Sequence, residues 1–287
     1  MKKCVFLTME NPEDFVVYDS LLIEPLERKG WQVHEIPWTK KVDWNDYQVV
    51  IIRSTWDYQN NAESFLQVLK EIDQSNAQLE NSLAIVKWNI DKIYLQDLEQ
   101  KGIKIVPTVW MNTFDSNRID AAFSELQTDE LIIKPRISAN ADFTYRLTKD
   151  NLGELQSHLE EIFSERSSLL QPFMNSILDE GEFSLFYFGG TYSHSILKKP
   201  KNADFRVQEE HGGTLKSVEP EDKLLDAGKK VMDVIKPLPL YVRVDFVRDN
   251  TGEYLLMELE LIEPSLYFNM DDQSAQRFAD AFEKWME

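Results

Sequence analysis

The residues with the clearest chemical content lie near the carboxyl end. Tyr241-Val242-Arg243-Val244-Asp245-Phe246-Val247-Arg248 alternates in polarity. Asp249-Asn250-Thr251-Gly252 then supplies turn residues, and Glu253-Tyr254-Leu255-Leu256-Met257-Glu258-Leu259-Glu260 alternates again. Two alternating runs joined by a turn predict a β-hairpin. Facing Arg248 with Glu253 sets Arg243 opposite Glu258 and Asp245 opposite Leu256. One face then carries Tyr241, Arg243, Asp245, Glu258 and Glu260. Opposed side chains lie about 5 Å apart and diagonal ones about 7–8 Å, so three carboxylates there repel unless a cation lies among them. Magnesium suits such a set, because it takes carboxylate oxygens together with substrate phosphates and water. Asp245, Glu258 and Glu260 are therefore candidate metal ligands. The competing reading, an exposed face with an Arg243–Glu258 salt bridge, fits poorly with the intervening Val242, Val244, Phe246, Leu255, Met257 and Leu259.

Three other stretches can meet an anionic nucleotide or a small substrate. Leu131-Ile132-Ile133-Lys134-Pro135-Arg136 is an apolar run ending in a lysine that can reach a phosphate, and the small residues Ser138-Ala139-Asn140-Ala141 after it let backbone amides approach an anion. It lacks the glycines and the Lys-Ser/Thr ending of a P-loop. Leu169-Leu170-Gln171-Pro172-Phe173-Met174 is an apolar run entering a proline-stiffened link, whose backbone from Gln171 to Met174 can bond a purine edge. Glu180 and Glu182 just beyond it are candidate ribose acceptors. Arg53-Ser54-Thr55-Trp56-Asp57-Tyr58 follows an apolar strand, at the kind of strand end where open parallel sheets gather ligands. Arg53, Trp56, Asp57 and Tyr58 are candidate substrate contacts, Arg53 for a carboxylate and Asp57 for an ammonium. His211 precedes Gly212-Gly213 in a further candidate loop. The other histidines have no metal-ligand spacing.

The elements that must position these residues fall into two styles. The first part alternates short apolar runs with helical patterns, as a mainly parallel α/β layer does. Strands are expected at Cys4 to Thr8, Trp31 to Ile36 and Val49 to Arg53, and helices at Asp14 to Lys29 and Glu63 to Ile72. Near Ile85 the pattern restarts with a helix from Asp91 to Gln100, a strand at Ile103 to Val106, a helix around Ser116 to Leu126, a strand at Leu131 to Lys134, a helix from Asn151 to Phe163 and a strand at Leu169 to Phe173. From Phe183 strands dominate, with Phe183 to Phe188, a Gly189-Gly190 turn and Tyr192 to Leu197.

A formal charge of -19 over 287 residues excludes general nucleic-acid binding, which needs a basic footprint. It makes the clustered cations Lys134, Arg136, Lys198, Lys199, Lys201 and Arg206 informative. No apolar run reaches the roughly 18 residues needed to span a membrane. The single Cys4 reads as a small buried hydrophobe rather than a nucleophile. The cytoplasm is the expected location.

Taken in order, Asn89-Ile90-Asp91-Lys92, Ile133-Lys134-Pro135, Gln171-Pro172-Phe173, Asp204-Phe205-Arg206, Gly212-Gly213, Arg243-Val244-Asp245 and Glu258-Leu259-Glu260 resemble the ATP-grasp superfamily over nearly the whole chain. The likeness is to its glutathione synthetase-like branch and to cycloserine-forming ligases. The resemblance implies a mixed α/β and α+β fold, with an N-terminal parallel α/β domain (1–87), a small lid subdomain (88–170) and a C-terminal antiparallel catalytic sheet (171–287). It implies an ATP-dependent ligase that forms an amide or closes a ring through an acyl phosphate on an amino acid, small peptide or related metabolite. Lys92 and Lys134 would meet ATP phosphates, and Gln171, Pro172, Phe173 and Met174, with Glu182, would hold the nucleoside. Asp245, Glu258 and Glu260 would bind two magnesium ions, with manganese as a substitute. Arg206 and Arg243 would steady the migrating phosphoryl group, and Gly212 and Gly213 would join the substrate contacts. Dimers are common among such ligases. Two departures stand out: the loop after Lys134 contains no glycine, and the last metal position is Glu260 rather than asparagine. A nucleotide-binding protein that lost catalysis is the alternative reading, and a phosphotransferase a more distant one.

Overall fold

The computed structural model describes residues 1–202 and 204–287. Four short strands, β1 (Lys2–Thr8), β2 (Trp31–Pro37), β3 (Val49–Ile52) and β4 (Gln78–Glu80), pair in parallel in the order β2-β1-β3-β4. Parallel strands covered on both faces need continuous apolar runs. Val49-Val50-Ile51-Ile52 is one, with all four side chains buried. Alternate residues serve opposite faces. Phe65, Leu69 and Ile72 of the helix Ala62–Asp73 join the core beneath Val5, Leu7, Val50 and Ile52. The other face, carrying Cys4, Phe6, Val49 and Ile51, is covered by Phe278, Ala279 and Phe282 of the last helix, Ser274–Trp285. The end of the chain thus seals its beginning.

The second sheet is antiparallel: β5 (Val109–Met111), β6 (Glu130–Pro135), β7 (Tyr145–Thr148) and β8 (Ser168–Pro172) lie in the order β5-β8-β6-β7. Helices Ser116–Glu125 and Leu152–Phe163 share a core with it around Phe123, Phe163, Leu131 and Ile133. A division after residue 170 runs through β8, where Gln171 and Pro172 still pair with Ile132 and Leu131. The third sheet is also antiparallel, with β9 (Glu182–Phe188), β10 (Thr191–Lys199), β11 (Thr214–Ser217), β12 (Tyr241–Arg248) and β13 (Tyr254–Glu260) in the order β11-β10-β9-β12-β13. Among the described residues, no helix is long and apolar enough to cross a membrane.

Three expectations are corrected. The helix expected from Asp14 to Lys29 is reduced to one 3-10 turn, Asp19–Leu22, and the short helix Ile23–Arg28. The residues before it instead carry Phe15 against Trp56, ring centres 5.2 Å apart, so tertiary contact overrides the local pattern. Ile103 to Val106 forms no strand of its own and only bridges Leu256 through Ile105, with the Lys104 carbonyl accepting from the Leu256 amide and the Val106 amide donating to the Leu256 carbonyl. In the hairpin, Arg243 pairs with Glu260 and Asp245 with Glu258, and a bulge follows between Asp245 and Phe246. The expected pairs Arg243–Glu258 and Asp245–Leu256 are wrong by one bulge and a longer turn. Asp249 closes that turn by accepting from the backbone amides of Thr251 and Glu253. The shared face survives, because partners shift by two places at its charged end.

Candidate active site

A cleft runs between the three sheets. It is lined by Lys92, Lys134, Gln171, Pro172, Phe173, Met174, Glu182, Arg206, Arg243, Glu258 and Glu260 of the expected set, and by Trp56 and Tyr58. Its floor is the charged end of the face shared by β9, β10, β12 and β13. Here Lys198 is buried between Glu182 at 2.5 Å and Asp245 at 3.4 Å. Asp245 also accepts from Ser184 Oγ at 2.5 Å and from Arg243 Nε at 3.1 Å. The other branch of the Arg243 guanidinium is on Glu260. Lys92 reaches Glu258 at 3.2 Å and donates to the Ser138 carbonyl at 2.8 Å, joining the floor to the loop above it.

The charges on this floor nearly cancel, and the titration of each group reports the local excess. Burial raises Glu260 to about 7 against the pull of Arg243, with the Glu258 and Asp245 carboxylates adding to the rise. Burial also disfavours the Glu258 anion, but Lys92 and Lys134 outweigh it and hold this group at about 2. Burial lowers the Lys134 pKa, and Lys92 beside it acts the same way against the pull of Glu258. A carboxylate held near neutrality beside two others marks a place where added positive charge is favourable. Asp245, Glu258 and Glu260 are hard oxygen donors and fit a magnesium ion on that ground. Among the described residues, no three acidic, histidine or cysteine side chains converge closely enough to hold a metal alone. Such a set needs phosphate oxygens and water to complete it, which is the usual habit of magnesium.

The link after β8 is shaped for a flat ring. Phe173 is nearly buried, its amide bonds the Glu130 carbonyl at 2.9 Å, and its ring lies edge-on to Phe205 at 6.3 Å. Gln171 is fixed by Thr108 Oγ1 at 3.0 Å. Opposite it, the loop 138–144 has no glycine, yet Asn140, Ala141 and Phe143 take left-handed backbone angles, φ 51°, 56° and 52°. Side chains here adopt a conformation that glycine adopts without strain.

Four expected substrate contacts do not line the cleft. Arg53 is fully buried, ion-paired to Asp19 at 2.8 Å and bonded to the Pro264 carbonyl at 3.0 Å. Asp57 accepts from Trp38 Nε1 at 2.7 Å. Gly212 turns a loop with φ 84°. At Gly213 a Cβ would sit 2.1 Å from the Val207 carbonyl oxygen, so glycine is required there by packing. Sequence reasoning singled out Lys198 only as one of several clustered cations and gave no role to Glu263 or Tyr267; all three line the cleft. Counting back from the Gly189-Gly190 turn sets Lys198 opposite Gly181; the ladder pairs it with Glu182 only because the register shifts between Tyr192 and His194. Nothing local in the sequence marks Glu263.

Comparison with known proteins agrees with this architecture. Residues 4–81 match the family model described as the N-terminal domain of the D-cycloserine synthetase DcsG. The cycloserine biosynthesis protein DcsG of Streptomyces lavendulae is 27% identical over 256 residues, which is 84% of each chain. The crystal structure of D-cycloserine synthetase DcsG superposes with a TM-score of 0.88 at 23% identity, covering 99% of this chain and 100% of that one. The ATP-grasp ligase PsnB, solved with a precursor variant, Mg and ADP, gives a TM-score of 0.69 at 14% identity, covering 99% and 98%. The chain has the ATP-grasp fold from end to end and is homologous to the D-cycloserine synthetase whose N-terminal domain its first strands match.

Proposed function

We propose that this chain is an ATP- and magnesium-dependent carbon–nitrogen ligase acting on a small amino-acid-like substrate. The N-terminal layer (1–87) walls the substrate, the middle part (88–170) covers the nucleotide, and the remainder carries the chemistry. The observation that carries the reading is the floor itself. Carboxylates and cations from four strands converge with Lys92 and Lys134 below loop 138–144 and an aromatic link, in one cleft. Phosphoryl transfer needs this kind of site, in which fixed charge and positioning do most of the work.

Lys92 and Lys134 bind nucleotide phosphates, the Gln171–Met174 link holds the base, and Glu182 accepts from the sugar. Asp245, Glu258 and Glu260 would hold the metal, two magnesium ions replaceable by manganese, which would supply positive charge against the transferred group. Arg243, locked between Asp245 and Glu260, and Arg206 face the acid that is activated. The acid oxygen takes the γ-phosphoryl group and ADP departs; the amine then attacks the acyl carbon, loses a proton and expels phosphate. Loop 138–144 keeps water from the activated acid.

The test is thermal unfolding with a non-hydrolysable ATP analogue and magnesium, in wild type and Glu258→Ala. A ligand at 100 times its Kd adds about 2.7 kcal/mol to stability. A magnesium-dependent rise in Tm is expected in the wild type and not in the variant, and ADP release should require an acceptor. No rise in the wild type at millimolar nucleotide would defeat the reading.

A further inference from the structure

The segment after β13 is held in an unusual way. Five consecutive carbonyls each accept from a side chain of a different residue elsewhere in the fold. Ile262 O accepts from Tyr241 Oη at 2.8 Å, Glu263 O from Trp56 Nε1 at 2.8 Å and Pro264 O from Arg53 at 3.0 Å. Ser265 O accepts from Arg243 at 3.2 Å and Leu266 O bonds His194 Nε2 at 3.1 Å. These donors come from the loop after β3 and from two strands of the catalytic sheet. They fix the backbone under Glu263 far more firmly than a loop fixes itself, and such fixing is what a specificity contact needs. The buried Arg53, idle as a direct contact, finds its use here.

The Glu263 side chain lines the cleft and is half-buried. Among the carboxylates of that lining, Glu182, Glu258 and Glu260 have cation partners in Lys198, Lys92 and Arg243. Glu210, exposed at the mouth, and Glu263 have none among the described residues. Around Glu263 stand the indole of Trp56, backed by Phe15 at 5.2 Å, and the ring of Tyr58, stacked on Phe65 at 4.8 Å. An unpaired carboxylate in an aromatic enclosure suits an ammonium group, which gains from both the charge and the ring faces. A neutral group there would leave the carboxylate with the Tyr58 hydroxyl as a partner but with no opposite charge.

We infer that Glu263, framed by Trp56 and Tyr58, is the specificity residue that seats a cationic amine of the substrate. The acid this chain activates is then an ammonium-bearing one, an amino acid rather than a neutral carboxylic or hydroxy acid. The inference rests on the ligase reading and narrows its substrate class.

The test uses thermal unfolding of the full chain with ATP analogue and magnesium already bound. Two panels are added at millimolar concentration: the common α-amino acids of both hands, and the 2-hydroxy acids that replace each amine by a hydroxyl. At least one amino acid should raise Tm further while its hydroxy partner does not. Glu263→Gln should weaken the apparent affinity for that amino acid at least about tenfold and keep the nucleotide-induced rise, which shows that the variant folds. Glu263→Asp should recover part of the loss, as a purely packing role would not allow. Equal response to hydroxy and amino acids, survival of the amino-acid response in Glu263→Gln, or no amino-acid response beside an intact nucleotide response would overturn the seat alone. Loss of the nucleotide response in the wild type would overturn the ligase reading, and the seat with it.

Discussion

The floor of the cleft and the loop above it solve the same electrostatic problem in opposite ways. On the floor, every functional side chain stands on a strand, and each cation touches at least one carboxylate: Lys198 on Glu182 and Asp245, Arg243 on Asp245 and Glu260. The geometry exists before any ligand arrives, which is the condition for strong electrostatic stabilisation of a transferring group. Loop 138–144 has few such ties. Its principal anchors are Lys92 on the Ser138 carbonyl, Gln59 on Asp142 at 3.0 Å and His211 beside the Asn140 carbonyl at 3.4 Å. Preorganisation is concentrated where charge must be placed, and the loop that covers the site is held by fewer ties.

If that contrast is real, removing a floor cation must cost far more than removing one near the loop. Lys198→Met leaves Glu182 and Asp245 buried without their shared partner. Breaking a buried pair from one side costs about 3–5 kcal/mol. Arg166, which lies over the Phe143 ring at 4.4 Å, is the matching probe beside the loop, and Arg166→Ala should stay within about 0.5 kcal/mol of wild type. Denaturant midpoints at constant m-value measure both. Similar losses in the two variants would erase the distinction.

The apolar half of the same sheet face gives a sharper test through pH. His194 stacks on Phe186 at 4.2 Å, donates from Nε2 to the Leu266 carbonyl and has its pKa lowered to about 4 by burial, with Arg277 acting the same way and Asp271 opposing. A folded pKa below the unfolded one means that the unfolded chain binds more protons between the two values. Stability from this neutral group is therefore full above about pH 6.5 and falls as pH drops toward 4. Between pH 7.5 and pH 5 the wild type should lose about 2 kcal/mol more than His194→Gln. Parallel losses in urea titrations of the two proteins would show that the histidine is not held neutral by its surroundings.

The sequence pattern reached the floor more readily than its surroundings, for physical reasons. Alternation in 241–248 and 254–260 reports which side chains share a face, and that survives a change of partners. It does not report a bulge, so the pairing of Asp245 with Glu258 had to come from the structure. Lysines and glutamates placed by strands, Lys134, Glu182 and Glu258 among them, came out in the cleft. Residues nominated by loop position did not all do so. Arg53 follows an apolar strand as a ligand contact does, but Asp19 lies 34 positions earlier and no local pattern reveals that the two are buried together. Gly212 and Gly213 read as a ligand loop because glycine serves close backbone approach to any neighbour, here Val207. Glu263 is invisible for the opposite reason, since its setting depends on five donors scattered from Arg53 to Arg243.

The smallest predicted effect isolates the backbone of the loop. Ala141 holds φ 56°, between Asn140 at 51° and Phe143 at 52°. Asparagine tolerates this region through its short polar side chain, but alanine has no such relief, and the left-handed conformation costs an ordinary side chain about 1–2 kcal/mol. Glycine removes that cost and adds back about 0.5–1 kcal/mol of unfolded-state freedom. Ala141→Gly should therefore be neutral or stabilising by up to about 1 kcal/mol. Ala121, exposed in the helix Ser116–Glu125, provides the reference, because the same substitution in a helix interior costs about 1 kcal/mol. The two variants should shift the unfolding midpoint in opposite directions, or one should shift it and the other not. Equal destabilisation would mean that Ala141 does not hold a left-handed angle in solution, and that the missing glycines of this loop impose no strain.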